Sequence, residues 1–268
     1  MKTIIVTGAN RGIGRAICQL LLTKQNGSNI KLLAASRAGE DLNLGKGVLY
    51  PKLDISSSES IKALAQHVGD KHGKVDVLIN NAGVNLDNNY SPENAKQTLD
   101  VNYRGTLEMC QTFLPLLARP GGRIINLSSV GSTLKPYANP IQSIFRSQDL
   151  TLQNLEILSQ EFQSTVTSHT ESDSGFAGPG RSYSFSKACV NAFTRILAKE
   201  NPDVLVNCCC PGWVRTDMGS LIGKPPKTVE DGAKIPVRLA VADIGGVSGE
   251  YWANGSVRSK EEGEVQQW

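Results

Sequence analysis

The chain of 268 residues is 40% hydrophobic and 20% charged, and its formal net charge is +3. Basic and acidic residues are interspersed, without the basic runs typical of proteins that bind nucleic acid or anionic membranes. No apolar stretch reaches the length of a membrane span, and the N-terminal residues show no signal-peptide pattern. We therefore expect a globular cytoplasmic protein that binds neither nucleic acid nor a membrane.

Cysteine and histidine usage gives no sign of a metal site. The sequence has six cysteines without a Cys-x-x-Cys pair, and its three histidines are dispersed. Three of the cysteines, Cys208 to Cys210, are consecutive in a strand-like run, where adjacent side chains point to opposite faces and cannot chelate together. The sequence predicts no bound metal, and the cysteines are expected to be buried free thiols in a reducing compartment.

Strand-like and helix-like segments alternate from the first residues onward, as hydrophobic periodicity shows. Strands are predicted at 3–8, 30–37, 48–55, 75–83, 121–129, 203–212 and 249–254, and helices at 12–24, 56–73, 91–118, 183–201 and 228–242. Repeated βα units with nearly continuous apolar strands favour an α/β fold, a doubly wound Rossmann-type parallel sheet with helices on both faces. No linker divides the chain, so we expect one domain over residues 1–268.

A long insertion at about residues 130–180 interrupts this alternation. Within it, residues 151–166 place apolar side chains at helical spacing, and Thr151 is expected to cap that helix. The insertion is interpreted either as a surface decoration or as a cap over a site or an oligomer contact, because long insertions in compact domains are often functional.

A glycine-rich turn, "TGANRGIG", joins the first strand to the first helix. Its spacing is Gly8-x-x-x-Gly12-x-Gly14, with Asn10, Arg11 and Ile13 between the glycines. Such a turn allows the backbone to approach a pyrophosphate at the amino end of a helix, where free amides and a partial positive charge lie. A purely structural turn is the alternative. The βα context favours dinucleotide binding.

The end of the second strand predicts which dinucleotide binds. NAD-binding proteins carry an acidic residue here for the ribose diol, whereas this chain has Ser36 and Arg37. Together with Arg11, these side chains suit a 2′-phosphate through charge-assisted hydrogen bonds. NADP(H) is therefore the expected cofactor; the alternative is that Arg37 is only an exposed charge at a strand end.

Further candidates follow later strands or lie on a later helix. Asp54 and Ile55 are predicted beside the adenine, and Asn81 and Gly83 at the ligand edge of the sheet. Tyr183 and Lys187 are four residues apart, which places both on one face of a helix. By itself a Tyr-x-x-x-Lys pattern arises often by chance, so its context has to decide its meaning.

Six short motifs occur in order at the ends of predicted strands and helices. They are "TGANRGIG", "LDI" at 53–55, "NNAG" at 80–83, "VN" at 101–102, "INLSS" ending at Ser129, and "YSFSK" from Tyr183. With them the chain resembles the short-chain dehydrogenase/reductase family over nearly its whole length. "CCPGWVRTDM", the terminal "VQQW" and the long gap between Ser129 and Tyr183 resemble the NADPH-dependent carbonyl reductases of that family.

The resemblance implies the reduction of a ketone, aldehyde or quinone by hydride from NADPH. It implies that Tyr183 donates the proton, and that Lys187 lowers the pKa of Tyr183 and binds the nicotinamide ribose. Ser129, rather than Ser128, is implied to bind the carbonyl oxygen, and Asn102 to hold a water near Lys187. Ser129 as an ordinary strand-end serine and Asn102 as a helix-kink residue are the structural alternatives.

The segment after the sixth predicted strand is implied to cover cofactor and substrate. Pro211 and Gly212 would form a turn, Val214 and Thr216 would reach the carboxamide, and Trp213 and Met218 would form an apolar substrate wall. A core position is the alternative for Trp213. The insertion implies a monomer, since it would cover the helix face through which related proteins dimerise.

Two other functions compete with carbonyl reduction. A nucleotide-sugar epimerase shares the Tyr-Lys pair, but it needs a substantial C-terminal substrate domain, and only a short tail follows Gly249. A non-enzymatic NADP(H)-binding sensor would be expected to lack Tyr183, Lys187 or Ser129, all of which are present.

Overall fold

A computed structural model describes residues 1–24 and 29–268. These residues form a seven-stranded sheet in the order β2-β1-β3-β4-β5-β6-β7, in which only the β6–β7 pair is antiparallel. The strands are β1 Lys2–Thr7, β2 Ile30–Ala35, β3 Val77–Asn80, β4 Gly122–Leu127, β5 Val204–Cys209, β6 Tyr251–Ala253 and β7 Glu264–Gln266.

Helices pack on both faces of the sheet. They are α1 Gly12–Lys24, α2 Ser58–His72, α3 Pro92–Leu99, α4 Thr106–Phe113, α5 Asn139–Arg146, α6 Leu152–Ser168, α7 Ser182–Glu200, α8 Asp217–Ser220 and α9 Val229–Val241. Neighbouring residues of one strand, such as Ile4 and Ile5, belong to two different hydrophobic clusters, one on each face. The predicted doubly wound α/β architecture is confirmed. None of the helices in the described ranges is long and apolar enough to cross a membrane.

The prediction of a regular third strand at 48–55 is wrong. Only Leu49 and Lys52 form isolated parallel bridges, to Leu33 of β2 and to Ser36 just beyond it. Pro51 lies between them and has no N–H, so it cannot donate to a ladder, although its carbonyl accepts from Ser36 N at 3.2 Å. The segment therefore follows the edge of the sheet without becoming a strand.

The sheet ends in a strand that periodicity did not predict. β7 pairs antiparallel with β6, and Trp268 behind it packs edge-on against Phe145 of the insertion, with ring centroids 6.2 Å apart. Three residues are too few for a period to be recognised in a sequence. The tail thus closes one sheet edge and contacts the insertion.

The helix predicted at 91–118 is interrupted by a π-helical segment, Asp100–Gly105, between α3 and α4. A Cβ atom on Gly105 would overlap the carbonyl oxygen of Ile55. The π-helical segment can therefore lie this close to the Ile55 backbone only because residue 105 is a glycine. π-helical turns within α-helices are frequent at functional sites, and this one contains Asn102.

The insertion is packed against the body of the protein. Helix α6 begins at the predicted cap, since Thr151 Oγ1 accepts from Asn154 N at 3.1 Å, and it contacts both α3 and α7. Glu156 of α6 forms a salt bridge of 2.8 Å with Arg104 in the π-helical segment. The apolar residues of helix α6, Phe162 among them, are part of the hydrophobic core. Helix α6 is therefore more than a surface decoration.

All six cysteines fall in the described part of the chain, where they are free and buried. Burial raises the pKa of Cys18 and Cys110 to about 12, so these thiols stay protonated at neutral pH. Within the same residues, no group of three or more His, Cys, Asp or Glu side chains is arranged to hold a metal ion.

Gly105→Ala is expected to destabilise the protein by about 2–4 kcal/mol, because the added methyl group has to displace either the π-helical segment or the Ile55 backbone. Urea unfolding of wild type and variant measures the difference. Gly255→Ala is the matched control, since its Cβ meets no atom within 4 Å. Equal losses in both variants would contradict the role given to the Gly105 contact.

Candidate active site

The glycine turn presents the amino end of α1 at the carboxyl edge of the sheet. Gly8 and Gly12 have φ of +65° and +54°, in the left-handed region that favours glycine. A Cβ on Gly14 would overlap the carbonyl oxygen of Gly8, so the turn cannot be as compact with a larger residue. Asn10 is exposed in the turn, and Ile13 at the start of α1 is partly buried.

Asn81 braces this turn from the neighbouring strand. Its Nδ2 donates to the carbonyls of Thr7 and Gly8, at 2.9 and 3.1 Å. In return Thr7 Oγ1 accepts from the backbone amides of Asn81 and Ala82, both at 3.0 Å. The side-chain amide of Asn81 is therefore committed to the turn. Sequence reasoning placed Asn81 at the ligand edge but did not predict this bracing.

Arg37 and Arg11, the two predicted phosphate ligands, are exposed near the ends of β2 and β1. Arg11 Nη1 pairs with Asp217 Oδ2 at 2.7 Å. Ser36 is buried, and its Oγ accepts from Gly39 N at 3.1 Å, which leaves its O–H free to donate. The side chains of Arg11, Ser36 and Arg37 therefore all have donors for an anion once Arg11 leaves Asp217.

Asp54 and Ile55, the two residues predicted to lie beside the adenine, follow the segment that bridges to the sheet edge through Leu49 and Lys52. Asp54 Oδ1 accepts from Ser56 N and Oγ at 2.9 and 2.7 Å, and these hydrogen bonds lower the pKa of the Asp54 carboxyl group. Ile55 is buried, 7% exposed, and its carbonyl faces Gly105. The ionised carboxylate of Asp54 thus lies at the edge of the sheet, next in sequence to the buried apolar side chain of Ile55.

The segment after β5 turns back across the sheet edge. Gly212 has φ of +86°, and Pro211 precedes it. Val214 is buried, whereas Thr216 caps α8 by accepting from Gly219 N at 3.0 Å. A Cβ on Gly12 would lie 3.2 Å from Thr216 Cγ2. The turn after β5 therefore closes directly against the glycine turn.

Trp213 and Met218 in this segment are both partly exposed. The indole Nε1 of Trp213 donates to the Gly219 carbonyl at 2.8 Å, which fixes the ring. Leu221 and Ile222, just beyond α8, are 47% and 75% exposed. Trp213 is therefore not a fully buried core residue, and large apolar side chains that the sequence did not single out, Leu221 and Ile222, are exposed a few residues further along the chain.

Tyr183 and Lys187 lie in the first two turns of α7. Lys187 is 5% exposed, and its Nζ donates to the carbonyl of Leu127, the last residue of β4, at 2.7 Å. Nζ lies 5.8 Å from the centroid of the Tyr183 ring. The pair is thereby held at the carboxyl end of β4.

The pKa of the Tyr183 phenol lies above its ordinary value in this structure, whereas the pairing with Lys187 led us to expect a lowered one. Burial raises the pKa of Tyr183 to about 12, and the hydroxyl group of Ser129 opposes that shift. Burial also lowers the pKa of Lys187 from 10.5 to about 8, since removal from water disfavours the charged amine. Desolvation is thus the largest cause of the pKa shift of both groups.

Ser128 and Ser129 point in opposite directions at the end of β4. Ser128 is 3% exposed, and its Oγ donates to the carbonyl of Lys187 at 3.3 Å. Ser129 is partly exposed, and its Oγ accepts from Gly131 N at 3.1 Å. Of the two serines, Ser129 is the one whose hydroxyl group interacts with Tyr183, since it lowers the pKa of that phenol.

Asn102 links three elements of the site. Its Oδ1 accepts from Val84 N and its Nδ2 donates to Val84 O, both at 2.8 Å. Nδ2 also donates to Ser186 Oγ at 3.0 Å, and that hydroxyl donates to the carbonyl of Tyr183 at 2.7 Å. A Cβ on Gly83 would lie 3.0 Å from Asn102 Oδ1 and 3.6 Å from Lys187 Nζ. The structure therefore brings Asn102 and Lys187 together around Gly83.

Two residues of this network escaped sequence reasoning. Nothing in the sequence marks Ser186, inside "YSFSK", or Asp87 as a functional residue. The carboxylate of Asp87 accepts from Tyr183 N at 3.0 Å across 96 residues of sequence. A contact at that separation leaves no period or spacing in the chain, so only the three-dimensional structure reveals it.

Comparison with known proteins agrees with this architecture. A family model described as short chain dehydrogenase matches residues 2–141, and one described as Enoyl-(Acyl carrier protein) reductase matches residues 149–247. Carbonyl reductase (NADPH) 1 of Bos taurus is 35% identical over 92% of this chain and 94% of its own. Short-chain dehydrogenase/reductase 1 of Saponaria officinalis is 31% identical over 94% of both.

Solved structures show the same likeness. Salutaridine reductase from Papaver somniferum superposes with a TM-score of 0.82 at 28% identity, over 94% of this chain and 99% of its own. An NADPH-bound carbonyl reductase from chicken fatty liver gives a TM-score of 0.70 at 25% identity, over 100% and 94%. The fold is thus that of a doubly wound, Rossmann-type oxidoreductase. The chain belongs to the short-chain dehydrogenase/reductase family.

The buried amine of Lys187 predicts a pH dependence of stability. Between its folded pKa of about 8 and its usual 10.5, the unfolded chain binds a proton here that the folded chain does not. The free energy of unfolding therefore rises with pH across this window. Relative to Lys187→Met, wild type is expected to gain up to about 3 kcal/mol between pH 8 and 10.5.

Urea unfolding at several pH values measures this gain. Lys62→Met is the control, because Lys62 is exposed on α2 and its difference from wild type should stay flat. A flat difference for Lys187→Met as well would mean that the amine is not desolvated in the folded protein.

Proposed function

We propose that the protein is an NADPH-dependent carbonyl reductase that converts small ketones, aldehydes or quinones into alcohols. The observation that carries the proposal is the convergence of Ser129, Tyr183 and Lys187 beside a glycine turn at one edge of the sheet. Relatives with the same printed activity, at 33–35% identity over at least nine-tenths of the chain, support it.

The residues at the nucleotide end fit NADP(H). The absence of a side chain at Gly14 lets the turn pack directly onto the Gly8 carbonyl, and this compact turn at the amino end of α1 suits backbone contact with a pyrophosphate. Arg37, Arg11 and the Ser36 hydroxyl group supply donors for a 2′-phosphate, and no carboxylate opposes it at the end of β2. The Arg11–Asp217 pair is exposed and therefore weak, so Arg11 exchanges it for a phosphate at little cost.

We assign to the other cofactor contacts the roles expected from the sequence. Gly8, Asn10, Gly12 and Ile13 belong to the pyrophosphate turn, and Asp54 and Ile55 to the adenine end. The turn of Pro211 and Gly212 carries Val214 and Thr216 towards the carboxamide. The closure of Thr216 against Gly12 supports this assignment, since it brings the two turns to one ligand.

Bound NADPH supplies the hydride, and the chain supplies the proton and the polarising hydrogen bond. Tyr183 is protonated at neutral pH because burial raises the pKa of its phenol to about 12, so it serves as the proton donor. The Ser129 oxygen already accepts from Gly131 N, which leaves its O–H to donate to the carbonyl oxygen of the substrate.

Lys187 and Asn102 support these two donors. At neutral pH the amine of Lys187 remains mostly charged, since its pKa is about 8, and it stabilises the negative charge left on Tyr183 after proton transfer. Both N–H groups of the Asn102 side chain are occupied by Val84 and Ser186. A water near Lys187 would therefore bind to a remaining acceptor of Asn102, a side-chain lone pair or a backbone carbonyl of the π-helical segment.

The substrate wall is apolar. Trp213 and Met218 are partly exposed, and Leu221 and Ile222 extend the apolar surface next to them. A wall of this kind suits a range of hydrophobic carbonyl compounds rather than one polar metabolite.

We further propose that residues 1–268 act as a single-domain, cytoplasmic monomer. Helix α6 covers α3 and α7, and the Arg104–Glu156 salt bridge holds it there, which supports the monomer. Six buried free thiols are typical of a reducing compartment.

Tyr183→Phe is expected to keep NADPH affinity while turnover falls by about a thousandfold, because the proton donor is lost but the cofactor contacts remain. Fluorescence titration measures binding, and NADPH oxidation with quinones, aromatic aldehydes, diketones and aliphatic ketones measures turnover. Tyr50→Phe is the control. Tyr50 packs against the hydrophobic cluster on the Ile4 face of the sheet, so the NADPH affinity and turnover of this variant should stay near wild type. Wild-type turnover in Tyr183→Phe would refute the mechanism.

Arg37→Asp is expected to move the ratio of kcat/KM for NADPH over NADH towards NADH by about 10–100-fold, since a carboxylate repels the 2′-phosphate and accepts from the ribose diol. Steady-state kinetics with both cofactors measure the ratio. Arg146→Asp makes the same charge change on the exposed side of α5 and should leave it unaltered. If NADPH preference survives in Arg37→Asp, another residue selects the cofactor.

A further inference from the structure

The helix that carries Tyr183 and Lys187 begins without a capping side chain of its own. Its N-cap residue, Arg181, has φ of −119° and ψ of 11° and, within residues 1–24 and 29–268, makes no side-chain cap hydrogen bond. The first turn of α7 also contains no acidic residue. The first amides of a helix have no partner within the helix, so an acceptor from elsewhere has to satisfy them.

Asp87 supplies such an acceptor from the loop after β3. Its Oδ2 accepts from Tyr183 N at 3.0 Å. Its Oδ1 and the Oγ of Ser182 are buried, and neither has a hydrogen-bond partner among the described residues. A carboxylate at this position also interacts favourably with the partial positive charge at the amino end of the helix.

The loop that carries Asp87 is fixed independently of α7. Val84 is bound through both its N–H and its carbonyl to the side chain of Asn102, and Asp87 N donates to Asn85 Oδ1 at 3.1 Å. Asn102 also donates to Ser186, whose hydroxyl group binds the Tyr183 carbonyl. The peptide N–H of Tyr183 thus binds this loop directly, through Asp87, and its carbonyl is connected to the same loop through two side chains, Ser186 and Asn102.

The charges around Tyr183 come from several elements. Burial is the main cause of its raised pKa; Ser129 lowers the pKa, while Cys210 and Asp87 raise it. The amine of Lys187 lies 5.8 Å from the ring centroid. Asp87 also raises the pKa of Tyr90 and Tyr137. The carboxylate of Asp87 therefore acts on the phenol both through the backbone and through space.

We propose that Asp87 is a positioning residue, which caps helix α7 from outside and thereby holds Tyr183 in register with Ser129 for proton transfer. The inference rests on the proposed function, because positioning has a kinetic meaning only if Tyr183 is the proton donor. Asp87 itself touches neither of the reacting groups in this role. It acts on the backbone amide of Tyr183.

Two substitutions separate the hydrogen bond from the charge. Asp87→Asn keeps an oxygen that accepts from Tyr183 N, so kcat at pH 7 should stay within about threefold of wild type. Loss of the negative charge should lower the pKa of Tyr183. The alkaline limb that ionisation of Tyr183 gives to the kcat/KM profile should therefore move to lower pH by about half a unit. Asp87→Ala loses the acceptor as well, and kcat should fall at least about tenfold while the Kd for NADPH changes less than twofold.

Amide hydrogen exchange at Tyr183 tests the cap without reference to catalysis. Exchange should be at least about tenfold faster in Asp87→Ala than in wild type, and nearly unchanged in Asp87→Asn. Asp149→Ala, an exposed aspartate in the insertion, is the matched control and should alter none of these quantities.

The outcomes distinguish the two proposals. If wild type does not oxidise NADPH with any carbonyl compound, the proposed function fails, and Tyr183 exchange still decides whether Asp87 caps the helix. If wild type is active but Asp87→Ala keeps its kcat, pH profile and Tyr183 exchange, the positioning role is refuted. Should Asp87→Ala not fold, Asp87→Asn decides: a kcat at least about tenfold below wild type with unchanged Tyr183 exchange would show that Asp87 acts otherwise than by positioning, and would overturn the inference.

Discussion

The directionality of the parallel sheet is the constraint on which the candidate site depends. Neighbouring strands run in register, with Thr7 opposite Ala35, Asn80 opposite Asn126, and Leu127 opposite Cys209. Each strand therefore delivers the residues that follow it to the same edge. The glycine turn, the basic strand end, Ser129 and the Pro211 turn meet there although they are far apart in sequence.

Desolvation at that edge sets the chemistry of the two central groups. A lysine whose Nζ donates to the carbonyl of Leu127 while almost excluded from water holds its charge weakly, and a buried phenol resists ionisation. Both effects leave Tyr183 protonated at neutral pH. This balance suits a proton donor, whereas a phenol ionised at neutral pH would have no proton to give.

The position of Tyr183 depends on contacts of long range. The π-helical segment brings Asn102 towards the loop after β3, and that loop carries Asp87 to the start of α7. Gly105 makes the approach possible because it has no Cβ to collide with Ile55. A helix interruption and a carboxylate from a distant loop thus both contact the segment that positions Tyr183.

The sequence alone determined those features that depend on local physics. Helix α1 begins and ends at the predicted residues, 12 and 24, and Ser57 and Thr151 cap their helices as their side chains favour. The periodicity of the apolar residues was sufficient to predict the doubly wound α/β class of fold. The six ordered motifs identified the family and so led to Asn102, Ser129, Tyr183 and Lys187 as candidate catalytic residues.

Tertiary structure alone decided the rest, because each remaining feature depends on a partner remote in sequence. The segment with Pro51 is no strand, since it cannot complete a ladder with β2, and β7 exists only by pairing with β6. The direction of the Tyr183 pKa shift follows from burial rather than from the spacing of the Tyr-Lys pair. Asp87 owes its contact with Tyr183 N to the folded loop after β3, which no local pattern encodes.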